Sequence, residues 1–185
     1  MIAAIIPIQD RTLAFAQLHD TIVVQHMVNA LRASRVLDII LVFDGENENL
    51  SLSWFDGAVA FHSQPQNILS SVIVGIETLR SNNLHGVLIC PVTTPFLSQS
   101  LVVDVLQGFW RSQNNIVVPV HNGQRGNPIV IASPLFDDLI KTSSLDYFLE
   151  AHRDDLVEIT TAEEGAVTMV ASSSNIDSFI IRQNV

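Results

Sequence analysis

The sequence predicts an α/β fold: a three-layer α/β/α sandwich around a mostly parallel sheet. Three observations point there. Short, wholly apolar runs rich in β-branched residues alternate with longer stretches whose apolar residues recur at helical spacing. The signals follow the order β-α-β-β-α-β-α, which suits parallel strands joined by crossovers. Apolar residues make up 48% of the 185 and charged residues 15%, the balance of a core-rich globular chain.

The elements follow in order. "AAIIPI" (3–8) reads as a buried strand. Asp20 or Thr21 is placed to cap a helix through about Ala33, with Val23, Val24, Met27, Val28 and Leu31 on one face. "LDIILVF" (37–43) is the second strand, closed by the turn-forming "DGEN", and "GAVAF" (57–61) the third. A helix from about Gln66 to Arg80 buries Ile68, Leu69, Val72, Ile73, Ile76 and Leu79. Val87 to Cys90 is the fourth strand, and Ser98 caps a helix to about Trp110 with Leu101, Val102, Val105, Leu106 and Phe109 inward. "NIVVPV" (115–120) and "PIVIAS" (128–133) are strands joined by "HNGQRGN", which holds the turn signals Asn122-Gly123 and Gly126-Asn127. Beyond them the pattern predicts helices at 134–141 and 144–152, strands at 155–160 and 165–171, and a last helix near 174–182. A single domain over 1–185 is expected from this length.

Charge and composition narrow the function classes. A net charge of −10, with eight arginines and the single lysine Lys141, argues against a nucleic-acid partner. No apolar run approaches the ~18 residues of a membrane span, and "MIAAIIPIQD" lacks the basic flank and cleavage site of a signal peptide. Cys90 alone allows no internal disulfide and reads as a buried, inert thiol, so a reducing, cytoplasmic setting is expected.

The common catalytic signatures are missing. There is no G-x-x-x-x-G-K-[ST], no G-x-G-x-x-G after the first strand, where "PIQDRTLA" stands, and no G-x-S-x-G. The six histidines show no H-x-x-x-H spacing, and the acidic clusters "RDDLVE" and "AEEG" read as solvated surface. Two stretches are more specific. In "GQRGNP" (123–128) two glycines permit close backbone approach, Arg125 offers a guanidinium fork, Gly126 leaves room, and Asn127 offers a donor and an acceptor. A loop of this kind between strands suits an anionic group; the alternative is a plain hairpin turn with an exposed arginine. In "SQPQNILSS" (63–71), Ser70 and Ser71 fall near the first turn of a helix, where free N–H groups and hydroxyls meet ligands; a simply capped helix is the alternative.

Taken in order, these pieces resemble the MobA-like nucleotidyltransferases, in particular the molybdenum cofactor cytidylyltransferase branch. "QPQNILSSVIVGIETL" is similar to that family's helix P-x-x-x-x-x-S-S-L-x-x-G-I, with Ser70, Ser71 and Gly75 in register. "ICPVTTPFLSQSLV" is similar to its C-P-V-D-x-P strand tip, "IVVPVHNGQRGNPIVI" to its R-G-[HN]-P loop, and "EEGAVTMVASSSNIDSF" to its late G-V-L-x-D-I-D-T-P-E-D segment. The resemblance implies a nucleotide-diphospho-sugar-transferase-like fold, and transfer of a nucleoside monophosphate from CTP or GTP to molybdopterin with Mg²⁺. It carries Ser70, Ser71, Thr93, Thr94, Arg125, Gly126 and Asn127 over as nucleotide- or substrate-binding candidates, with Arg11 and Thr93 at the family's catalytic positions.

The departures fall on the charged groups. "IPIQDRTLAFAQL" stands where the family has L-A-A-G-x-S-x-R-M-G and a lysine; it has no glycine, puts Asp10 near the phosphates and keeps only Arg11. The aspartate of C-P-V-D-x-P is Thr93, and the two late aspartates become Met169 and Ala171. Mg²⁺ on nucleotide phosphates takes one or two protein carboxylates, so no metal ligand is assigned. The expectation is a nucleotidyltransferase-like protein that has lost or nearly lost catalysis and binds a nucleotide, a pterin or a protein partner. The alternative is an active CTP or GTP:molybdopterin nucleotidyltransferase with Asp10 or Asp44 in place of the missing carboxylates. A sugar- or polyol-nucleotidyltransferase of the same fold is the third reading.

Overall fold

The computed structural model describes residues 1–45, 52–62, 67–79, 83–112, 115–173 and 176. The first strand, β1 (Ile2–Ile8), is buried at every position, the signature of a strand covered on both faces. It is followed by a short helix α1 (Arg11–Ala14), the two-residue strands β2 (Gln17–Leu18) and β3 (Thr21–Ile22), and helix α2 (Val23–Ala33). Next come β4 (Ile39–Asp44), β5 (Ala58–His62), α3 (Ile68–Leu79), β6 (Gly86–Ile89) and α4 (Gln99–Ser112). The chain continues through β7 (Ile116–His121), β8 (Gln124–Arg125), β9 (Ile129–Ala132), α5 (Phe136–Lys141), α6 (Leu145–Ala151) and β10 (Leu156–Thr160).

The main sheet runs β10-β7-β9-β6-β1-β4-β5, with β8 paired to β7. β1 is parallel to β4 (Ile8 opposite Phe43) and to β6 (Ile5 opposite Ile89), β4 to β5, and β10 to β7. Only β9, between β6 and β7, and the small β8 run the other way.

Period-2 alternation divides the sheet's side chains between two cores. Ala4, Ile6 and Ile8 of β1, with Leu41, Phe43 and Leu88, meet α2 and α4 on one face. Ala3 and Ile5, with Ile40, Val42, Val87 and Ile89, meet α3, α5 and α6 on the other. The result is the three-layer α/β/α sandwich. Burying one branched aliphatic side chain contributes roughly 1.5–3 kcal/mol, so these two cores outweigh any polar contact at the surface.

Helix faces match the apolar stripes. Val23, Val24, Met27, Val28 and Leu31 of α2 are all buried, as are Leu101, Val102, Val105 and Phe109 of α4. Ser98 caps α4, its Oγ accepting from the Leu101 N–H at 3.1 Å. The start of α2 differs from expectation: Thr21 lies in β3, Ile22 holds the N-cap position, and no side chain caps the helix. The β2–β3 ribbon supplies the entry instead, its two strands antiparallel.

The strand expected at 165–171 is not formed. A single turn of 3-10 helix at Glu164–Ala166 is followed by irregular backbone, although burial still alternates there. The last helix expected near 174–182 lies outside the described residues, Ile176 apart.

Two buried or half-buried groups titrate away from their ordinary values. Burial pushes the Cys90 thiol well above the usual range, so the buried, inert reading stands. Burial lowers the affinity of His26 on α2 for a proton, partly opposed by a hydrogen bond to the Leu97 backbone and reinforced by His19. Below a pH of about 6.5 the unfolded chain therefore binds the His26 proton more readily than the folded one. Stability from this residue is complete above about 6.5 and is lost as pH falls toward the lowered folded-state value. Urea unfolding at pH 8 and at pH 5.5 is expected to show the parent losing stability relative to His26→Gln at the lower pH.

Candidate functional site

Parallel strands bring their C-terminal ends to one edge of the sheet, where loops can converge on a ligand. At this edge lie Asp10 and Arg11 after β1, Asp44 and Gly45 at the end of β4, Pro91–Thr94 after β6, the 121–128 loop into β9, and the segment after β10. The candidates separate there into two groups.

The first group surrounds Arg11. Its Nη2 donates to the Asp44 carbonyl at 3.3 Å, and its guanidinium lies over the Phe43 and Phe61 rings at 5.8 and 6.0 Å. The Asp44 carboxylate accepts from the Ser71 hydroxyl at 2.7 Å, and Ser71 is fully buried. The sequence pattern places Ser71 at a ligand; in the fold its hydroxyl is engaged by a carboxylate at a strand tip. Asp10, the other alternative carboxylate, accepts from the Leu13 N–H at 3.1 Å and caps α1.

The second group lines a cavity of about 580 Å³. Its walls bring together Thr93, Arg125, Gly126 and Asn127 with Asn67 and Ile68 at the head of α3 and the inward edge of α6. Met169 closes one side, and the Val170 N–H donates to the Thr93 carbonyl at 2.8 Å. Thr93 and the late segment are thus joined through their backbones. Val170 is buried, while Met169 and Ala171 on either side of it are exposed. Among the described residues, no group of three or more His, Cys, Asp or Glu could hold a metal ion.

The remaining candidates are engaged locally. The Thr94 hydroxyl donates to the Pro91 carbonyl at 3.0 Å and is buried. Ser70 donates its hydroxyl to the Asn67 carbonyl at 2.6 Å, and its N–H reaches the Asn67 side chain at 3.2 Å. Asn67 also donates to the Ser143 carbonyl at 3.1 Å, tying the start of α3 to the loop before α6.

The "GQRGNP" loop has the form of the hairpin turn with an exposed arginine. Asn122 (φ 50°) and Gly123 (φ 79°) form a tight hairpin turn between β7 and β8, and Arg125 is exposed, its Nε donating to Glu158 Oε1 at 2.6 Å. Gly126 does allow a close backbone approach, but to the protein itself: a Cβ there would lie 2.1 Å from the Ala166 carbonyl oxygen. The Asn127 N–H donates to that same carbonyl at 2.8 Å, and the Asn127–Pro128 peptide is cis.

Sequence reasoning missed Asn67 and the acidic edge of α6, Asp146 and Glu150, which also line the cavity. Their spacing of four on a helix was the available signal for a shared face. Nothing local to that short helix tied it to the strand tips.

A family model described as MobA-like NTP transferase domain matches residues 11–158. No curated protein sequence matches the chain significantly. Among solved structures, the chain is similar to Rv0371c of Mycobacterium tuberculosis H37Rv in complex with manganese, with a TM-score of 0.78 at 12% identity over 98% of this chain and 97% of that one. It is similar to 4-diphosphocytidyl-2C-methyl-D-erythritol synthase of Anaerococcus prevotii DSM 20548, with a TM-score of 0.76 at 14% identity over 100% and 98%. A third is 2-C-methyl-D-erythritol 4-phosphate cytidylyltransferase of Thermus thermophilus, with a TM-score of 0.69 at 15% identity over 99% and 98%. At such identities the likeness is one of fold, and that fold is nucleotide-diphospho-sugar-transferase-like.

Proposed function

The chain belongs to the family of MobA-like NTP transferase domains, and from that premise we propose that it is a ligand-binding member in which metal-assisted nucleotidyl transfer has been lost or nearly lost. The observation that carries this reading is the donor set at the strand tips. Thr93 and Met169 line one cavity, and the Val170 bond to Thr93 holds Met169 and Ala171 beside that tip. A thioether and a methyl group do not ligate Mg²⁺, and a single neutral hydroxyl does not supply the one or two carboxylates that this hard cation takes on nucleotide phosphates. The two carboxylates named from the sequence as replacements are engaged elsewhere, Asp10 as a helix cap and Asp44 with Ser71. Asp146 and Glu150, which line the cavity, lie on the α6 side of it rather than on the strand tips.

Transfer also needs cations to neutralise charge developing on the pyrophosphate. Arg11 is the one the β1 loop retains, and the chain's single lysine lies far along the sequence at Lys141. What remains suits binding: a cavity within the ~300–1,000 Å³ usual for small molecules, whose apolar walls are joined by Thr93, Asn127 and the charged Arg125, Asp146 and Glu150. A nucleotide or a pterin is the ligand class that family membership suggests.

The test is pyrophosphate release with CTP or GTP, Mg²⁺ and molybdopterin. No release above the protein-free rate is expected, and any stabilisation by CTP or GTP in a thermal-shift series is expected to be the same with and without Mg²⁺. Mg²⁺-dependent turnover that is abolished by Arg11→Ala would overturn the reading and establish an active cytidylyl- or guanylyltransferase.

A further inference from the structure

The cavity at the β6 tip has a chemistry that selects among ligands. Its apolar walls come from Ile68, Val118, Ile129, Leu145, Leu149 and Met169. Two polar side chains that line it, the Thr93 hydroxyl and the Asn127 carboxamide, form no hydrogen bond with another described residue. A carboxamide presents a donor and an acceptor side by side, and a hydroxyl presents both on one atom. Together they match a flat ligand with neighbouring N–H and C=O groups on one edge.

The charges of the lining point the same way. Arg125 is its only cation among the described residues, and its Nε already donates to Glu158. Asp146 and Glu150 stand one turn apart on α6 and bring two carboxylates to the same cavity. A phosphate ester would meet more negative than positive charge here, whereas N–H donors would meet acceptors.

We propose that this cavity recognises an unphosphorylated nitrogen heterocycle of about nucleoside size and disfavours phosphate esters of the same heterocycle. The inference rests on the reading that this site binds rather than transfers, and it names the ligand class. A phosphate-dependent transferase would rank the same compounds in the opposite order.

Two matched series test it: cytidine, CMP and CTP, and guanosine, GMP and GTP. Binding is read by NMR of the protein carrying ¹³C-methyl methionine, because Met169 lines the cavity while Met27 lies buried in the α2 core. At least one nucleoside is expected to shift the Met169 methyl and leave Met27 in place. Its monophosphate is expected to bind at least tenfold more weakly and its triphosphate more weakly still. The exposed-face variant Asp146→Asn/Glu150→Lys is expected to narrow or invert that order. A triphosphate that binds more tightly than its nucleoside overturns the proposal, as does a Met169 signal that none of the six compounds moves. Pyrophosphate release is a separate measurement, so the failure of one reading is visible apart from the failure of the other.

Discussion

Gly126→Ala is expected to destabilise the protein by about 3 kcal/mol, because an overpacked position with no room to relax costs roughly 1–3 kcal/mol or more. For a chain of this size that is a fall in Tm of roughly 6–12 °C. The cause is local and rigid. The new Cβ would lie 2.1 Å from the Ala166 oxygen and 2.6 Å from its carbonyl carbon, backbone atoms of a buried residue rather than the end of a flexible side chain. The loop can only move away, which breaks the Asn127 bond to Ala166 and displaces Asn127 from the cavity wall. Gly123, three residues earlier, is the control. It has φ 79°, but a Cβ added there would meet nothing within 4 Å, so Gly123→Ala is expected to cost only the backbone strain, about 1 kcal/mol. Equal losses at the two positions, measured by calorimetry, would show that the close approach at Gly126 is not the constraint.

Thr93→Asp combined with Met169→Asp is expected to create a divalent-cation site that the parent lacks. Both residues line the same cavity, and the Val170–Thr93 backbone bond fixes how near they lie. Met169 is 72% exposed, so a carboxylate there needs no burial of charge. Two carboxylates with water as the remaining ligands bind weakly, in the ~millimolar range. Mn²⁺ titration followed by electron paramagnetic resonance is expected to show binding by the double variant, much less by either single variant and none by the parent at the same concentrations. Saturable Mn²⁺ binding by the parent at this site would mean that other groups, the Asp146 and Glu150 carboxylates of the same lining foremost, supply the ligands.

Most of the fold was legible because burial on both faces leaves a plain signature. β1, β4, β6 and β9 are short continuous apolar runs, and the stripes of α2, α3 and α4 face the cores, with Ile68, Ile73 and Leu106 only partly buried against them. The segment 165–171 shows the limit. Ala166, Thr168 and Val170 are buried while Met169 is exposed, so the alternation was true of burial. It was not true of backbone pairing: the Thr168 N–H turns back to Glu164, and a single bond from Val170 reaches a strand tip. Short local structure was also missed, since four residues of α1 and two each of β2 and β3 are below any periodicity.

The candidate site was legible in residue type and only partly in partnership. Thr93, Arg125, Gly126 and Asn127 do meet at one cavity. Arg11 and Ser71 are instead drawn to Asp44, and Ser70 and Thr94 to carbonyls close in sequence. Side-chain partners separated by tens of residues, such as Ser71 and Asp44 or Asn67 and Ser143, depend on the folded topology and leave no local mark.

The position of β9 has a consequence for how the chain reaches this structure. Four parallel strands, β5, β4, β1 and β6, come from the first 89 residues and can pair among themselves. Until β9 docks, however, β6 ends that sheet with the run Gly-Val-Leu-Ile, whose backbone groups and apolar side chains are covered only in the finished fold. An open, uncharged edge of this kind is a template for another chain. During synthesis it stays open while some forty further residues emerge, about 2–8 s at the usual rate of elongation. Chains cut before Ile129 are therefore expected to associate through β6, and dilution or chaperone protection during that interval should govern the yield of folded protein.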